Sequence, residues 1–300
     1  MSIRKPILNA RVHNYLPNLV AVEHLYQNRV HPNIVLFIGG LGNGIHDVPY
    51  TQFLAERLNK VGWGFVELLT SSSYIGWGTG SLKRDTDEVS KAVEYFRSNE
   101  GDSRGKIVLM GHSTGCQDSI YYLVRAKNQQ PVDGAILQAS ASDREAYITL
   151  SGEKEWREMV EKLQQWVQSN DPTDVLPKSF TKNFFQAPIS AERLLSLLVV
   201  GGDDDFFSSD ISADELQTTF GKVDVPLLVL YSEKDQFVPK FVDKEALLAR
   251  WKTATDARYW DENSGLIKGG SHALDLEGST RGDVWQVLAD KVERYLSRVH

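Results

Sequence analysis

Residues 106–124, KIVLMGHSTGCQDSIYYLV, place a serine between two glycines at the junction of two different patterns. The first half is a continuous apolar run, which is typical of a strand buried on both faces. The second half predicts a helix that begins just after the serine. Ser113 would therefore lie on a tight strand-to-helix turn that projects its hydroxyl above a sheet. Gly111 and Gly115 suit such a turn, because strand and helix pass close together there.

The rest of the chain alternates apolar strand patterns with amphipathic helix patterns. Buried strands are predicted at NIVLFIG, GFVELLT, GAILQAS and PLLVLYSEKD, and shorter strand-like segments at VHNYL and NLVAVEHL. Helices are predicted at YTQFLAERLNKVG and over residues 81–97, 114–126 and 283–299, where apolar residues share one face. This alternation indicates an α/β protein with a mostly parallel sheet and helices on both faces.

One interval breaks the alternation. Between Gln138 and Pro226 no strand pattern is convincing, and helical patterns such as EKEWREMVEKLQQWVQ occupy the interval. We expect a single domain over residues 1–300 with a helical cap insertion from about Asp143 to Phe220. Such an insertion would cover a site at the carboxyl ends of the strands. The alternative is a peripheral helical layer with no role in ligand binding.

Composition narrows the class of function and the compartment. The net charge is −7, which argues against sequence-independent binding to nucleic acid or to an anionic membrane. Cys116 is the only cysteine, so no internal disulfide can form, as in a reducing compartment. The N-terminal segment lacks the apolar core of a signal peptide, and no apolar stretch is long enough to span a bilayer. We expect a cytoplasmic protein.

A serine nucleophile needs a base, and the base needs a group that orients it. In a sheet of this type the acid should follow a later strand and the histidine the last one. Asp235 follows PLLVLYSEK, and His272 lies in GLIKGGSHALDL before the final helix. Glu233 and the run 203–205 are rivals for the acid, although that run has the composition of a solvated loop. His112 lies beside the nucleophile, where packing or hydrogen bonding is the better interpretation than a role as base.

A glycine-rich loop, LFIGGLGNG, follows one of the buried strands. Its backbone N–H groups could face a developing oxyanion, and the expected donors are the N–H groups of Leu41 and Thr114. The competing interpretation is a phosphate cradle. Neither G-x-G-x-x-G nor GxxxxGK[ST] fits this loop, so a nucleotide site is poorly supported. No zinc or calcium pattern occurs either, and we expect no cofactor and no metal.

Four motifs give the chain a resemblance to a known family: FIGGLGNG, SSSYIGWGTGSLKRD, MGHSTGCQD and GGSHALDL. With them the chain resembles the α/β-hydrolases and, more closely, the fungal siderophore esterase family of the SidJ type. The resemblance implies hydrolysis of an ester-linked hydroxamate siderophore of the fusarinine C type, which would release iron inside the cell. It also implies a triad of Ser113, Asp235 and His272. One departure from the wider fold is Gly39 where a histidine usually precedes the glycine before the oxyanion residue.

The remaining expectations concern the substrate. The partner would be a small-molecule ester, or an iron–siderophore complex, rather than nucleic acid or membrane. Tyr74 and Trp77 either line the substrate cleft or pack their loop against the cap. A carboxylesterase or thioesterase for another metabolite, an acyltransferase, and a non-catalytic binding protein of the same fold are the alternatives. The last should lack a triad member, and this sequence lacks none.

Overall fold

Eight strands form one sheet within the described part of the chain. This computed structural model describes residues 8–127, 129–181, 184, 187–275 and 280–299. The strand order is β1-β2-β4-β3-β5-β6-β7-β8. β2 pairs antiparallel with β1 and with β4, and all other neighbours are parallel. The predicted mostly parallel sheet is confirmed. The strands are β1 Ala10–Leu16, β2 Leu19–His24, β3 Asn33–Ile38, β4 Trp63–Leu68, β5 Ile107–His112, β6 Gly134–Gln138, β7 Leu227–Ser232 and β8 Gly265–Ile267.

Helices connect and cover the strands. Side-chain caps begin several of them; for example, the hydroxyl of Ser81 accepts a hydrogen bond from the N–H of Arg84. The described helices are α1 Thr51–Lys60, α2 Leu82–Arg97, α3 Thr114–Val124, α4 Asp143–Ser151, α5 Glu153–Trp166, α6 Lys178–Thr181, α7 Ala191–Leu198, α8 Ala213–Thr218, α9 Lys244–Ala254 and α10 Thr280–Leu296. None of them, within the described residues, is long and apolar enough to cross a bilayer.

The central strands are buried on both faces, as their continuous apolar runs predict. Side chains alternate between the two faces of a strand, so neighbouring residues enter different cores. In β5, Leu109 faces a core that includes residues of α2, α3 and α9, whereas Met110 faces a core that includes residues of α1 and α10. Each face of the sheet is therefore closed by helices, and the free space lies at the strand ends.

The strand order reverses direction at β3, and this positions the site. β3 lies between β4 and β5, so the chain leaves β3 toward one side and leaves β5 toward the other. A crevice forms outside the carboxyl ends of strands at such a switch point. The loop after β3 contains residues 39–47, and the turn after β5 contains Ser113. The glycine-rich loop and the serine turn thus meet in one crevice.

Helices α4 to α8 all lie between β6 and β7 in sequence. Helices α4 to α7 contribute to a third hydrophobic cluster, separate from the two cores on the sheet, whereas Leu216 of α8 joins the core that contains Leu109. The members of the third cluster are Trp77, Tyr147, Met159, Leu163, Leu176, Phe180, Ala187, Ile189, Ala191, Leu194, Leu197 and Leu198. The role of residues 143–220 as a cap over the site stays a prediction.

Candidate active site

Ser113 occupies a strained turn between β5 and α3. Its φ is 54° and its ψ is −125°, a conformation that a residue with a side chain rarely adopts. A Cβ on Gly111 would lie 2.2 Å from the carbonyl oxygen of Gly115, and one on Gly115 would lie 2.2 Å from that of Ile38. The glycines therefore allow strand and helix to approach, and the turn presents the serine hydroxyl to the crevice.

A chain of hydrogen bonds links the three residues that the sequence selects. The Oγ of Ser113 lies 2.8 Å from the Nε2 of His272, and the Nδ1 of His272 lies 2.7 Å from the Oδ2 of Asp235. A carboxylate only accepts hydrogen bonds, so Nδ1 carries the imidazole proton and Nε2 faces the serine hydroxyl as an acceptor. Loops after β5, β7 and β8 bring the three side chains together from distant parts of the chain.

The rival acids lie elsewhere. The carboxylate of Glu233 accepts the N–H of Gly269 at 2.7 Å, in the loop that leads toward His272. Asp204 is buried against Arg193, with 2.5 Å between Oδ2 and Nη1. The interpretation of residues 203–205 as a solvated loop is wrong for Asp204, because its carboxylate forms a buried ion pair with Arg193.

His112 is not placed to act as the base, because its ring is bound to Gln138. Its Nδ1 lies 2.6 Å from the Oε1 of Gln138, which also accepts the hydroxyl of Tyr50 at 2.8 Å. Burial, and then the neighbouring His272, lower the pKa of His112 to about 3. The ring is therefore neutral near pH 7 and packs beside His272, with 5.2 Å between ring centroids.

The glycine-rich loop is folded over the serine by its own hydrogen bonds. The N–H of Gly40 donates to the side chain of Asn43, whose N–H donates back to the carbonyl of Gly40. The N–H of Leu41 donates no hydrogen bond within the described residues. That of Thr114 is at the first position of α3, where a helix offers no acceptor. Both expected oxyanion donors therefore remain available in this arrangement.

A cleft opens at the serine, and helices of the insertion contribute to its lining. Its volume is about 570 Å³, within the range of small-molecule sites. The serine and histidine lie in it together with Leu41. Further lining comes from α4, α5 and α7 and from the loop after β7, with Tyr147, Phe184, Leu197 and Phe237 as the largest apolar side chains and Asp143 and Glu155 as the carboxylates. Sequence reasoning missed these residues, since only the packing of the insertion brings them to the serine.

Tyr74 and Trp77 are not among the residues that line this cleft. Trp77 is 2% exposed and packs in the third cluster with residues of the insertion helices. The hydroxyl of Tyr74 accepts the N–H of Ile45, so this ring lies against the glycine-rich loop. In the structure Trp77 packs against the insertion and Tyr74 against the glycine-rich loop. Their contact with a substrate stays a prediction.

Comparison with known proteins agrees with this fold. A fusarinine C esterase, sidJ, from Aspergillus fumigatus is 37% identical, with 95% of each chain covered. An esterase from Emericella nidulans is 35% identical over 93% of this chain and 92% of its own. Among solved structures, the siderophore hydrolase EstB from Aspergillus fumigatus is 37% identical, covers 98% of each chain, and has a TM-score of 0.85.

The fold and these relatives define the class of protein: an α/β-hydrolase that acts as a carboxylic ester hydrolase. The chain belongs to the family described as "Protein of unknown function (DUF1749)", whose model matches residues 1–297.

Proposed function

We propose that the protein is a serine esterase that cleaves ester bonds of a hydroxamate siderophore of the fusarinine C type. The observation that carries the catalytic part is the hydrogen-bonded series Ser113–His272–Asp235, set on a turn with positive φ at the serine. The series has the geometry in which an imidazole removes a hydroxyl proton and a carboxylate orients the imidazole.

The first half of the reaction forms an acyl-enzyme. The Nε2 of His272 takes the proton of Ser113 as the Oγ attacks the ester carbonyl carbon, and Asp235 stabilises the resulting imidazolium. The N–H groups of Leu41 and Thr114 hold the negative charge on the carbonyl oxygen, and each such donor contributes about 3 kcal/mol in comparable sites. The intermediate collapses with cleavage of the ester C–O bond, and the alcohol leaves with the proton from His272.

The second half returns the serine. Water enters the cleft, His272 takes one of its protons, and the hydroxide oxygen attacks the acyl carbon. The bond from that carbon to Ser113 then breaks, the serine regains its proton from His272, and the carboxylic acid departs. Each cycle thus cuts one ester bond and consumes one water molecule.

The choice of substrate rests on the relatives. A fusarinine C esterase and a siderophore hydrolase are each 37% identical to this chain along nearly its full length. The cleft of about 570 Å³ beside the serine offers room for a substantial part of such a molecule. Cleavage of a siderophore into fragments would weaken its hold on iron, so we propose intracellular iron release as the consequence.

The test is hydrolysis of fusarinine C by the purified protein, followed by chromatography and mass spectrometry. We expect linear and monomeric products with the wild type and none above background with Ser113→Ala. Ser169→Ala, which changes an exposed serine of the insertion, is the matched control and should keep full activity.

A fluorophosphonate probe separates the parts of the proposal. Labelling of the wild type but not of Ser113→Ala supports an activated serine. Labelling without cleavage of fusarinine C would keep the esterase and contradict the siderophore. Absence of labelling and cleavage would contradict both.

A further inference from the structure

The substrate cleft contains a carboxylate that the proposed reaction does not use. Asp143 begins helix α4, is partly exposed, and lines the same cleft as Ser113 and His272. No lysine or arginine occurs among the described residues that line this cleft. An anionic group that faces an enclosed site without a basic neighbour in its wall favours a ligand of opposite charge.

Asp143 is held in place by the helix that carries the nucleophile. The Nε2 of Gln117 donates to the Oδ2 of Asp143 at 2.5 Å. Gln117 lies in the first turn of α3, directly after the turn that presents Ser113. The Oδ1 of Asp143 accepts no hydrogen bond within the described part of the chain. One oxygen is thus anchored near the nucleophile, while the other is available to a ligand.

Aromatic side chains line the same cleft as this carboxylate. Tyr147, one turn after Asp143 in α4, stacks on Phe184 with 5.3 Å between ring centroids and an interplanar angle of 10°. Phe237 packs edge-on against His272 at 4.7 Å. All three rings line the cleft. Aromatic rings together with a carboxylate are typical of sites that bind substituted ammonium groups.

The charges around Asp143 set its protonation. Burial, and then the neighbouring Asp204, raise the pKa of Asp143 to about 7, whereas the hydrogen bond from Gln117 and the charge of Arg193 act in the opposite direction. The carboxylate therefore gains its charge across the neutral range, and a bound cation would favour the charged form. Other titratable groups that face this region are Asp205, Glu155, His112 and His272.

We infer that Asp143 is a specificity-determining residue that selects esters with a substituted ammonium group on the acyl chain, a few bonds from the ester carbonyl, over neutral and anionic esters. This inference rests on the proposed esterase function, because it takes the cleft at Ser113 as the ester site. The ammonium group lies between the Oδ1 of Asp143 and the aromatic rings. Gln117 acts as a positioning residue, since its side chain in α3 donates to the Oδ2 of Asp143.

The experiment compares three 4-nitrophenyl esters of equal chain length that end in trimethylammonium, tert-butyl or carboxylate. The first two have the same shape and differ in charge, and neither titrates. We expect the wild type to show about tenfold higher kcat/KM for the ammonium ester than for the tert-butyl ester at pH 8, and the lowest value for the carboxylate. Asp143→Asn should reduce the first ratio by about tenfold.

The pH dependence of that ratio separates charge recognition from a structural effect. Ionisation of the triad acts on both esters and cancels in the ratio of their kcat/KM values. In the wild type the ratio should rise from pH 6 to pH 8 with a midpoint near 7, and in Asp143→Asn it should stay flat. Glu145→Gln is the matched control, because this carboxylate lies on the same helix but pairs with Ser209. Its ratio should follow that of the wild type.

Two results would overturn the inference: a wild-type ratio near one, or an unchanged ratio in Asp143→Asn. If the protein hydrolyses none of the three esters, a binding measurement tests the same inference. In the Ser113→Ala background, calorimetry should show 3-phenylpropyltrimethylammonium binding at least about tenfold more tightly than 4-phenylbutyrate, with the difference lost on Asp143→Asn. Equal affinities would contradict the role of Asp143. Selective binding together with failure to cleave fusarinine C would contradict only the proposed siderophore function.

Discussion

At the scale of single residues, the space beside Gly40 constrains the position of the nucleophile. A Cβ on this residue would lie 2.6 Å from the Cβ of Ser113 and 3.1 Å from its Oγ. Glycine is thus required where the loop after β3 crosses the nucleophile. Its backbone leads directly into Leu41, whose N–H is a proposed oxyanion donor, so a shift of the loop would move that donor.

Gly40→Ala should lower kcat for a simple ester by at least about a hundredfold, because the added methyl group displaces either the serine or the oxyanion loop. The control is Gly282→Ala in α10, where no described residue has an atom within 4 Å of the added Cβ. That variant should keep its activity and gain a little stability, since alanine favours helix. Steady-state kinetics with thermal melting of both variants is the measurement. Full activity in Gly40→Ala would contradict the proposed position of the oxyanion loop.

At the scale of elements, the guanidinium of Arg193 is one of the contacts that fasten helix α7 to the rest of the molecule. The side chain of Arg193 is almost fully buried, donates to the carbonyl of Trp77 at 3.2 Å, and pairs with Asp204. It also lines a small cavity of about 30 Å³, the size of a single water molecule, together with Asp85 and Asp118. The charge of Arg193 therefore faces carboxylates from three separate segments.

Arg193→Leu should destabilise the protein by about 3–5 kcal/mol, because it leaves Asp204 buried without its cation. Arg157→Leu is the matched control in α5, where the ion pair with Glu153 is more than 60% exposed on both sides. Loss of that exposed pair should cost less than about 1 kcal/mol. Urea unfolding of the two variants provides the comparison, and equal losses would show that the buried pair does not fasten α7.

At the scale of the whole molecule, buried carboxylates make folding depend on pH. Burial raises the pKa of Asp85 to about 6 and that of Asp118 well above its ordinary range. A carboxyl whose pKa is raised binds its proton more tightly in the folded state, so its contribution to stability falls as pH rises through the window between the two pKa values. For Asp85 that window runs from 3.8 to about 6. The buried neutral His112 acts in the opposite sense, losing stability below 6.5.

Asp85→Asn should therefore gain stability relative to the wild type as pH rises from 4 to 7, by up to about 3 kcal/mol, and level off above. Asparagine removes the buried charge and keeps a polar oxygen in its place. The control is Asp87→Asn on the exposed face of the same helix, where the carboxylate pairs with Lys83. Its difference from the wild type should stay small over that range, because an exposed ion pair contributes little to stability. A constant difference for Asp85→Asn would contradict the raised pKa.

Part of this architecture could be predicted from the sequence because it is encoded locally. The apolar runs of the central strands exclude water from both faces, and each predicts its strand without reference to a partner. Gly111 and Gly115 on either side of Ser113 predict a close strand-to-helix turn, because glycine lets strand and helix approach each other. The order of Ser113, Asp235 and His272 along the chain follows from which strand precedes each residue, so the candidate triad needs only the order of the strands.

The insertion could not be read in this way, because its contacts join residues far apart in sequence. Asp204 reads as part of a polar loop, yet the burial of Arg193 in the same region makes it the partner of a cation. Asp143 reads as the first residue of a helix, and only its contact with Gln117 places it in the cleft beside Ser113. The sequence by itself determined the sheet, the turn and the order of the reacting groups, since hydrophobic periodicity and glycine sterics act within a few residues. Tertiary structure alone decided which charges face the substrate, because burial and pairing depend on which distant side chains meet.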